Sequence, residues 1–459
     1  MNIYISNNIR VEKPTQELIN WANYNLRFSN PEYAKKQAMG RWVGNTPKEI
    51  VLYQRRGEDL LLPFGAITQL YFMFKDTCQF YPNFKPLQAL SYNSRLTLYD
   101  YQEIALNRLK MAKNGILVAP CGSGKTNIGL QYIASIGGKA LWITHTLDLL
   151  NQSKARAMAN FDLPSTAYGI ISDGKVNIGT HLTFATVQTL STINLLEYIN
   201  EWDVIVVDEC HKCVGSPAQA MMFYRVLSYL CARYKVGLTA TPYRADHLEK
   251  TMFALLGDIA YEIPKSAVRS KTCQVEVRTY NTNYTPNIDN ITLGDGSIVY
   301  ASLVEDIVSN NERNEYIASI VNNLQGQTLI LTDRLDHENA LQEQITRTTA
   351  IINGNTKGRE NILQDFKNGK IEVIIASYKL AKEGLDVPTL RYVVLATPQK
   401  DKSTIIQSCG RVERKADGKD KGIVIDFADN FGLLKKYYKK RVSYYKAQGY
   451  DLIENYKQL

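Results

Sequence analysis

Ala119-Pro120-Cys121-Gly122-Ser123-Gly124-Lys125-Thr126 follows the apolar run Gly115-Ile116-Leu117-Val118 and precedes a helix-like stretch. A buried-type strand, a turn of small residues and a helix is the context in which this pattern makes a phosphate-binding loop. Small residues let backbone N–H groups wrap phosphate oxygens, and the N-terminus of the next helix adds partial positive charge. Pro120, Cys121, Gly122, Ser123 and Gly124 are the expected cradle. Lys125 is expected to reach the β- and γ-phosphates, and Thr126 to offer its hydroxyl to Mg²⁺. Ala119 stands where the pattern has its first glycine, a departure that strand geometry tolerates.

Eighty-three residues beyond Lys125, the run Val204-Ile205-Val206-Val207 ends in Asp208-Glu209-Cys210-His211. A carboxylate at the C-terminal end of a strand beside a phosphate loop is placed to hold Mg²⁺ through water. Asp208 takes that role, and Glu209 is placed to polarise an attacking water as a general base. ATP and Mg²⁺ are the substrate and cofactor that these residues imply. Cys210, His211 and Cys213 resemble half of a zinc site, but no second pair lies at zinc-ribbon spacing.

Apolar runs flank this pair of motifs on both sides. Ala140-Leu141-Trp142-Ile143-Thr144, Leu182 to Thr186 and Val236 to Thr239 alternate with helix-length amphipathic segments. A second series follows at Thr328 to Thr332, Thr349 to Asn353, Val373 to Ser377, Tyr392 to Ala396 and Gly422 to Asp426. Continuous apolar strands alternating with helices indicate parallel sheets covered on both faces. The expected fold is α/β, with two tandem lobes over residues 96–262 and 263–430. Residues 1–95 form a small α+β module, with a helix from Pro14 to Leu26 and short strands around a turn at Arg56-Gly57. That module holds 15 aromatic residues and 12 Lys and Arg against 7 Asp and Glu, and reads as an accessory DNA-binding module. Residues 431–459 read as a basic, tyrosine-rich terminal helix.

A chain of 459 residues is long enough for two or three cores. Its 45% hydrophobic and 22% charged content is that of globular protein rather than a disordered chain. No run reaches the roughly 18 apolar residues of a membrane span, and the N-terminus lacks a signal-peptide core. The expectation is a cytoplasmic, non-secreted protein without a membrane partner. Seven scattered cysteines argue against a disulfide framework, and the net charge of +9 leans toward a polyanionic partner.

Read in order, the motifs resemble those of superfamily 2 helicases, whose lobes are RecA-like; the match runs over about residues 96 to 430. Tyr101-Gln102 is similar to the adenine-reading Q motif. Thr144-His145-Thr146 and Thr186-Val187-Gln188-Thr189 occupy strand ends that contact a nucleic-acid backbone in the family, and Thr239-Ala240-Thr241 matches the motif that couples hydrolysis to strand movement. In the second lobe, Asp333-Arg334 and the segment from Ser377 to Gly384-Leu385-Asp386-Val387-Pro388 match motifs IV and V. Gln407, Gly410, Arg411 and Arg414 match motif VI.

The resemblance implies nucleotide contacts at Tyr101, Gln102, Gly384 and Asp386. It also implies nucleic-acid contacts at Thr144, His145, Thr186, Gln188, Arg334 and Ser377, and catalytic roles for Gln407, Arg411 and Arg414. An arginine supplied to the transferring phosphoryl group is worth roughly 10³ to 10⁵ in rate in related systems. Gly237 to Asp246 and the Asp-Glu-Cys-His tetrad are most similar to the DNA-acting branch that includes XPB and phage UvsW-type branch-migration helicases. Where relatives often carry an arginine, two residues before Tyr101, this chain has Tyr99, which offers a ring for adenine to stack on but no guanidinium hydrogen bonds.

Three features lie outside the motifs. Arg41, Trp42, Arg55 and Arg56 are candidates for gripping DNA. Ile291 to Tyr300 carries a Gly-Asp-Gly turn at Gly294-Asp295-Gly296, a hairpin signal, and is either a strand-parting wedge or an ordinary surface hairpin. Lys435 to Arg441 is the strongest basic cluster, with Lys439, Lys440 and Arg441 as candidate backbone contacts. The implied function is an ATP-dependent DNA helicase or translocase, acting as a monomer on forked, branched or duplex DNA, with RNA disfavoured. A duplex translocase subunit of a restriction-type complex and an ATP-gated clamp or sensor are the alternatives.

Overall fold

A strand without polar positions has to be covered on both faces, and every residue of Gly115–Val118, Ala140–Thr144, Leu182–Thr186 and Val204–Asp208 is buried. In the computed structural model, which describes residues 1–244, 246–382 and 387–456, these runs are central strands of one sheet. Of Ser270, Ala381 and Lys382 only the backbone is described. The chain divides into two units, residues 1–267 and 268–459.

The first unit's main sheet has eight strands. Their order is Lys175–Asn177, Tyr168–Ser172, Leu182–Thr186, Ala140–Thr144, Val204–Asp208, Tyr234–Thr239, Gly115–Val118 and Ile259–Glu262. All neighbours run parallel except the outer pair Lys175–Asn177 and Tyr168–Ser172. The segments after Val118, Thr144, Thr186, Asp208 and Thr239 therefore leave the same edge, where ligands collect in open α/β sheets.

Residues 1–82 build a five-stranded sheet in the order Gln54–Arg56, Asp59–Pro63, Asn8–Glu12, Asn2–Ile5 and Gln79–Pro82. The helix expected from Pro14 to Leu26 is Gln16–Asn25, with Thr15 capping the Leu18 amide. This module has no core of its own. Ile3, Ile9, Leu18, Leu60, Phe64 and Leu70 belong to one buried cluster with Ile116, Leu141, Ile205 and Leu256 of the large sheet's layer. At the seam, a Cβ on Gly65 would lie 2.1 Å from the Phe253 carbonyl oxygen, so only glycine fits there.

Lys235, on strand Tyr234–Thr239, is fully buried at the same seam. Its ammonium donates to the Leu227 carbonyl at 2.9 Å and sits 4.6 Å from the centre of the Phe64 ring. Burial pushes its pKa down to about 7. The unfolded chain therefore binds more protons than the folded one between that value and the ordinary lysine range, and stability rises with pH across that window. Each pH unit of the window is worth about 1.36 kcal/mol, so Lys235→Met should stabilise the first unit by on the order of 3 kcal/mol more at pH 6 than at pH 10. Thermal melting at both pH values measures it, and equal gains at the two would exclude the buried charge as the cause.

The second unit holds a seven-stranded, all-parallel sheet in the order Thr349–Ile352, Val373–Ser377, Thr328–Thr332, Tyr392–Leu395, Lys421–Asp429, Gln274–Thr282 and Asp451–Ile453. Separate buried clusters fill its two faces, one around Val424, Phe366 and Tyr445, the other around Ile425, Ile317 and Phe427. The expected hairpin at 291–300 reduces to a single bridge, Thr292 to Ile298, closing an exposed turn with Gly296 at φ +78°. The terminal segment is a helix, Gly432–Gln448, followed by strand Asp451–Ile453. No described helix is long and apolar enough to cross a membrane.

Candidate nucleotide-hydrolysis site

The phosphate loop is held by its flanks. The Ala119 amide donates to the Thr239 carbonyl at 2.8 Å, and helix Lys125–Ile136 starts directly after Gly124. Gly122 and Gly124 have φ of +75° and +77°, a region costly for residues with a Cβ. At Gly124 a Cβ would also lie 2.4 Å from Gln102 Nε2, so the glutamine amide would have to shift. This cradle, with side-chain-free backbone at its two glycines and opening onto a helix N-terminus, fits a nucleotide's phosphates.

Tyr101 and Gln102 act on the loop itself. Gln102 Nε2 donates to the Ser123 carbonyl at 2.8 Å, the Tyr101 hydroxyl donates to the same oxygen at 3.1 Å, and Gln102 Oε1 accepts from the Tyr99 amide. Both side chains are buried. Tyr99 stacks on Tyr101 with ring centres 5.9 Å apart and is the half-exposed ring of the pair.

Lys125 Nζ lies 2.9 Å from Glu209 Oε1. Burial alone would lower the lysine, but the Glu209 carboxylate more than reverses that, so the ammonium stays charged. Burial likewise opposes ionisation of Glu209, and Lys125 overcomes it, holding this carboxyl well below its ordinary range. Asp208, buried and next to an ionised Glu209, is pushed up to about 7; its Oδ1 accepts from the Glu209 amide at 3.0 Å. Thr126, half-buried at the second position of the helix, completes the set that would hold Mg²⁺ with Asp208.

Glu209 adopts φ +50°, ψ +48°, a left-handed conformation that costs a non-glycine residue roughly 1–3 kcal/mol. That turn brings its second oxygen within 3.2 Å of His211 Nδ1, which is 3.0 Å from Thr239 Oγ1; Thr239 Oγ1 in turn accepts from the Thr241 amide. A chain of polar contacts thus joins the acidic pair to the Thr239-Ala240-Thr241 loop. Arg244 donates to the His211 carbonyl and binds Asp246 through two nitrogens. Cys210 and Cys213 are buried, and the Cys210 thiol meets Met252 Sδ at 3.5 Å in the core.

Of the strand-end residues expected to touch nucleic acid, Thr144 and Thr186 spend their hydroxyls inward, on the Thr146 carbonyl and Thr189 Oγ1. Gln188 is exposed and donates to the His145 carbonyl, tying the two loops together.

In the second unit, Arg334 occupies the position before helix Leu335–Gln344 without a side-chain cap, and the Ser377 hydroxyl accepts from the Leu380 amide. The Asp333 amide and His337 Nδ1 both meet Thr397 Oγ1, while Tyr378 donates to the Thr397 carbonyl. Gly384 and Asp386 lie outside the described residues. Gln407 sits half-buried on helix Lys402–Cys409; Arg411 and Arg414, also half-buried, follow in the tight turn after Gly410. Lys419 was not singled out by motif or spacing. It is buried, and its ammonium donates to the Arg414 and Pro388 carbonyls at 2.8 and 3.2 Å, fixing the end of the arginine turn.

Arg441 corrects the basic-cluster expectation. Lys439 and Lys440 are exposed, but Arg441 is 1% exposed and donates to Asp426 at 2.8 Å and to the Phe427 carbonyl at 2.9 Å. It faces inward because it follows the buried stripe set by Leu434 and Tyr437 at helical spacing.

Comparison with known proteins follows the same two regions. Residues 95–244 match the family "Type III restriction enzyme, res subunit", and residues 312–416 match "Helicase conserved C-terminal domain". A "Putative ATP-dependent RNA helicase L396" of Acanthamoeba polyphaga mimivirus is 26% identical over 394 residues, 81% of this chain and 71% of the relative. The "DNA 3'-5' translocase XPB2" of Sulfurisphaera tokodaii is 24% identical over 365 residues, 70% of this chain and 80% of the relative. Among solved structures, a fragment of a putative HsdR subunit of a type I restriction enzyme from Vibrio vulnificus superposes with a TM-score of 0.57 at 16% identity, over 79% of this chain and 70% of that one, a likeness of fold. With its two matched helicase regions and XPB-named relatives, the chain is similar to the superfamily 2 helicases of the XPB-like branch.

Proposed function

We propose that this chain hydrolyses ATP to move along DNA, and that it unwinds or remodels forked and branched DNA. The observation that carries the hydrolytic half is the Lys125–Glu209 contact at 2.9 Å beside buried Asp208, at the mouth of the phosphate loop. Lys125 exchanges Glu209 for the phosphates when nucleotide binds. Glu209, released from the ammonium that kept it a weak base, takes the proton of the attacking water. Thr126 and Asp208 hold Mg²⁺, which supplies positive charge to the phosphate oxygens when bound. Arg411 and Arg414 are the proposed stabilisers of charge on the transferring phosphoryl group.

DNA as the track is supported by the XPB-type relatives, which are named as DNA helicases and translocases, while the viral relative named as an RNA helicase makes RNA the competing substrate. Steady-state ATPase with single-stranded DNA, duplex, fork, four-way junction and single-stranded RNA tests this directly, with Lys125→Ala as the blank. Branched DNA is expected to stimulate most. Stimulation by RNA alone would overturn the DNA assignment. The restriction-subunit family match over residues 95–244 favours one second reading, a duplex translocase that does not part strands. Displacement of a third strand from duplex without unwinding of a fork would establish that reading instead.

A further inference from the structure

Helix Gly432–Gln448 has two chemically different faces. Leu434, Tyr437, Arg441 and Tyr445 are buried, and Arg441 and Tyr445 both donate to Asp426. Lys435, Lys436, Lys439, Lys440 and Lys446 are exposed. None of these five ammonium groups has a carboxylate or hydrogen-bond partner among the described residues. At 3.6 residues per turn, Lys435, Lys439 and Lys446 fall along one line, with Lys436 and Lys440 beside it.

Such a face is unfavourable for the helix that carries it. Gly432–Gln448 contains no Asp or Glu, so its outer face lacks the mixed signs that stabilise a solvated helix. Lys435/Lys439 and Lys436/Lys440 are like-charge pairs at i,i+4, each costing roughly 0.2–0.5 kcal/mol. Lys435 and Lys436 also lie near the positive end of the helix dipole. The inward face already anchors the helix, so the lysines contribute nothing to the fold. Their charge is unmatched by any carboxylate on the helix itself.

We infer that this lysine face binds the sugar–phosphate backbone of a nucleic acid, as a contact additional to the strand-end loops. The inference rests on the reading of the chain as a nucleic-acid motor. From Lys435 to Lys446 the helix runs ~16 Å, at 1.5 Å per residue. Duplex DNA presents one phosphate charge per ~1.7 Å of axis, so several phosphates fall within reach of the five lysines. Lysine meets phosphate as a point charge, and this face exposes no aromatic ring to read a base. The contact is therefore independent of sequence and sensitive to salt.

The test uses the full chain with all five lysines changed to glutamine, and a second variant with all five changed to arginine. Affinity for a fluorescent duplex and for a single strand is measured without nucleotide as salt is raised. Each lost phosphate contact should reduce the slope of log K against log[salt] by ~0.9 on duplex and ~0.7 on single strand. The glutamine variant should thus lose a slope of about 3 or more on duplex, and the arginine variant should keep it. Thermal melting should show both variants at least as stable as the parent. A parent that binds with the same slope as the glutamine variant would overturn this inference alone. A parent that binds no nucleic acid would overturn the motor reading as well. Loss of binding to anionic phospholipid vesicles, with DNA binding intact, would assign the face to a membrane surface and refute it.

Discussion

Glu209→Gln should slow nucleic-acid-stimulated ATP turnover by about 10²–10⁴, the usual contribution of a positioned general base, while KM for ATP stays the same or falls. Glutamine keeps the size of the side chain, and the left-handed backbone at Glu209 (φ +50°) is no harder for glutamine than for glutamate. What changes is the charge facing Lys125 at 2.9 Å. In the proposed mechanism, that carboxylate competes with the nucleotide's phosphates for the ammonium. In the variant the competition is gone, so binding has no reason to weaken. Asp208 also gains, because the ionised neighbour that helps hold its carboxyl up to about 7 is removed. Lys125→Ala should behave differently, losing binding and turnover together, since it deletes the cation and leaves buried Asp208 and half-buried Glu209 without it. Stopped-flow binding of a fluorescent ATP analogue with steady-state ATPase separates the two. An undiminished kcat in Glu209→Gln would remove Glu209 from the chemistry and leave it as a latch for Lys125.

The two large sheets were legible because parallel strands buried on both faces must be apolar at every position. Ala140–Thr144, Val204–Asp208 and Val373–Ser377 carry that pattern in full or nearly so. Strand Gln274–Thr282 was not legible for the same reason reversed. Its glutamate and arginine read as surface, yet Glu276 is buried and sits between Arg278 and Lys421, a neutralisation visible only once strand Lys421–Asp429 lies beside it. The seam between residues 1–82 and the first lobe was hidden too, because Gly65 and Lys235 look unremarkable until Phe253 and Phe64 are against them.

At the site, residue type was readable and direction was not. Tyr101 and Gln102 are at the motif's positions, but only geometry turns both of them onto the Ser123 carbonyl. Thr144 and Thr186 are likewise at the right strand ends with their hydroxyls pointed inward. Lys419 had no signal at all, since its partners are backbone carbonyls.

Arg441→Met should destabilise the second unit by about 3–5 kcal/mol, the cost of breaking a buried ion pair by removing one member. Strand Lys421–Asp429 is covered on both faces, and one arginine–aspartate pair lies on each side. Residues 426 and 429 are separated by an odd number, so they face opposite ways along a strand. Arg441 pairs with Asp426 on the face that includes Val424 and Tyr445, and Arg313 pairs with Asp429 on the face that includes Ile425 and Ile317. In Arg441→Met, Asp426 keeps, among the described residues, the Tyr445 hydroxyl and the Phe427 amide, while the Phe427 and Gln399 carbonyls lose their guanidinium donor. Methionine fills much of the volume, so the loss measures charge and hydrogen bonding rather than a cavity. At roughly 2–4 °C per kcal/mol for a unit of this size, calorimetry should show a fall on the order of 10 °C in the transition of the second unit. Asp426→Asn added to Arg441→Met should recover part of it, because the stranded carboxylate is then neutral. A loss that Asp426→Asn deepens, rather than relieves, would mean that Arg441 acts through packing and its carbonyl contacts instead of through the pair. Either result separates Arg441 from the lysines around it: reversing Lys439 and Lys440 tests a surface, and reversing Arg441 with them would only unfold the unit beneath it.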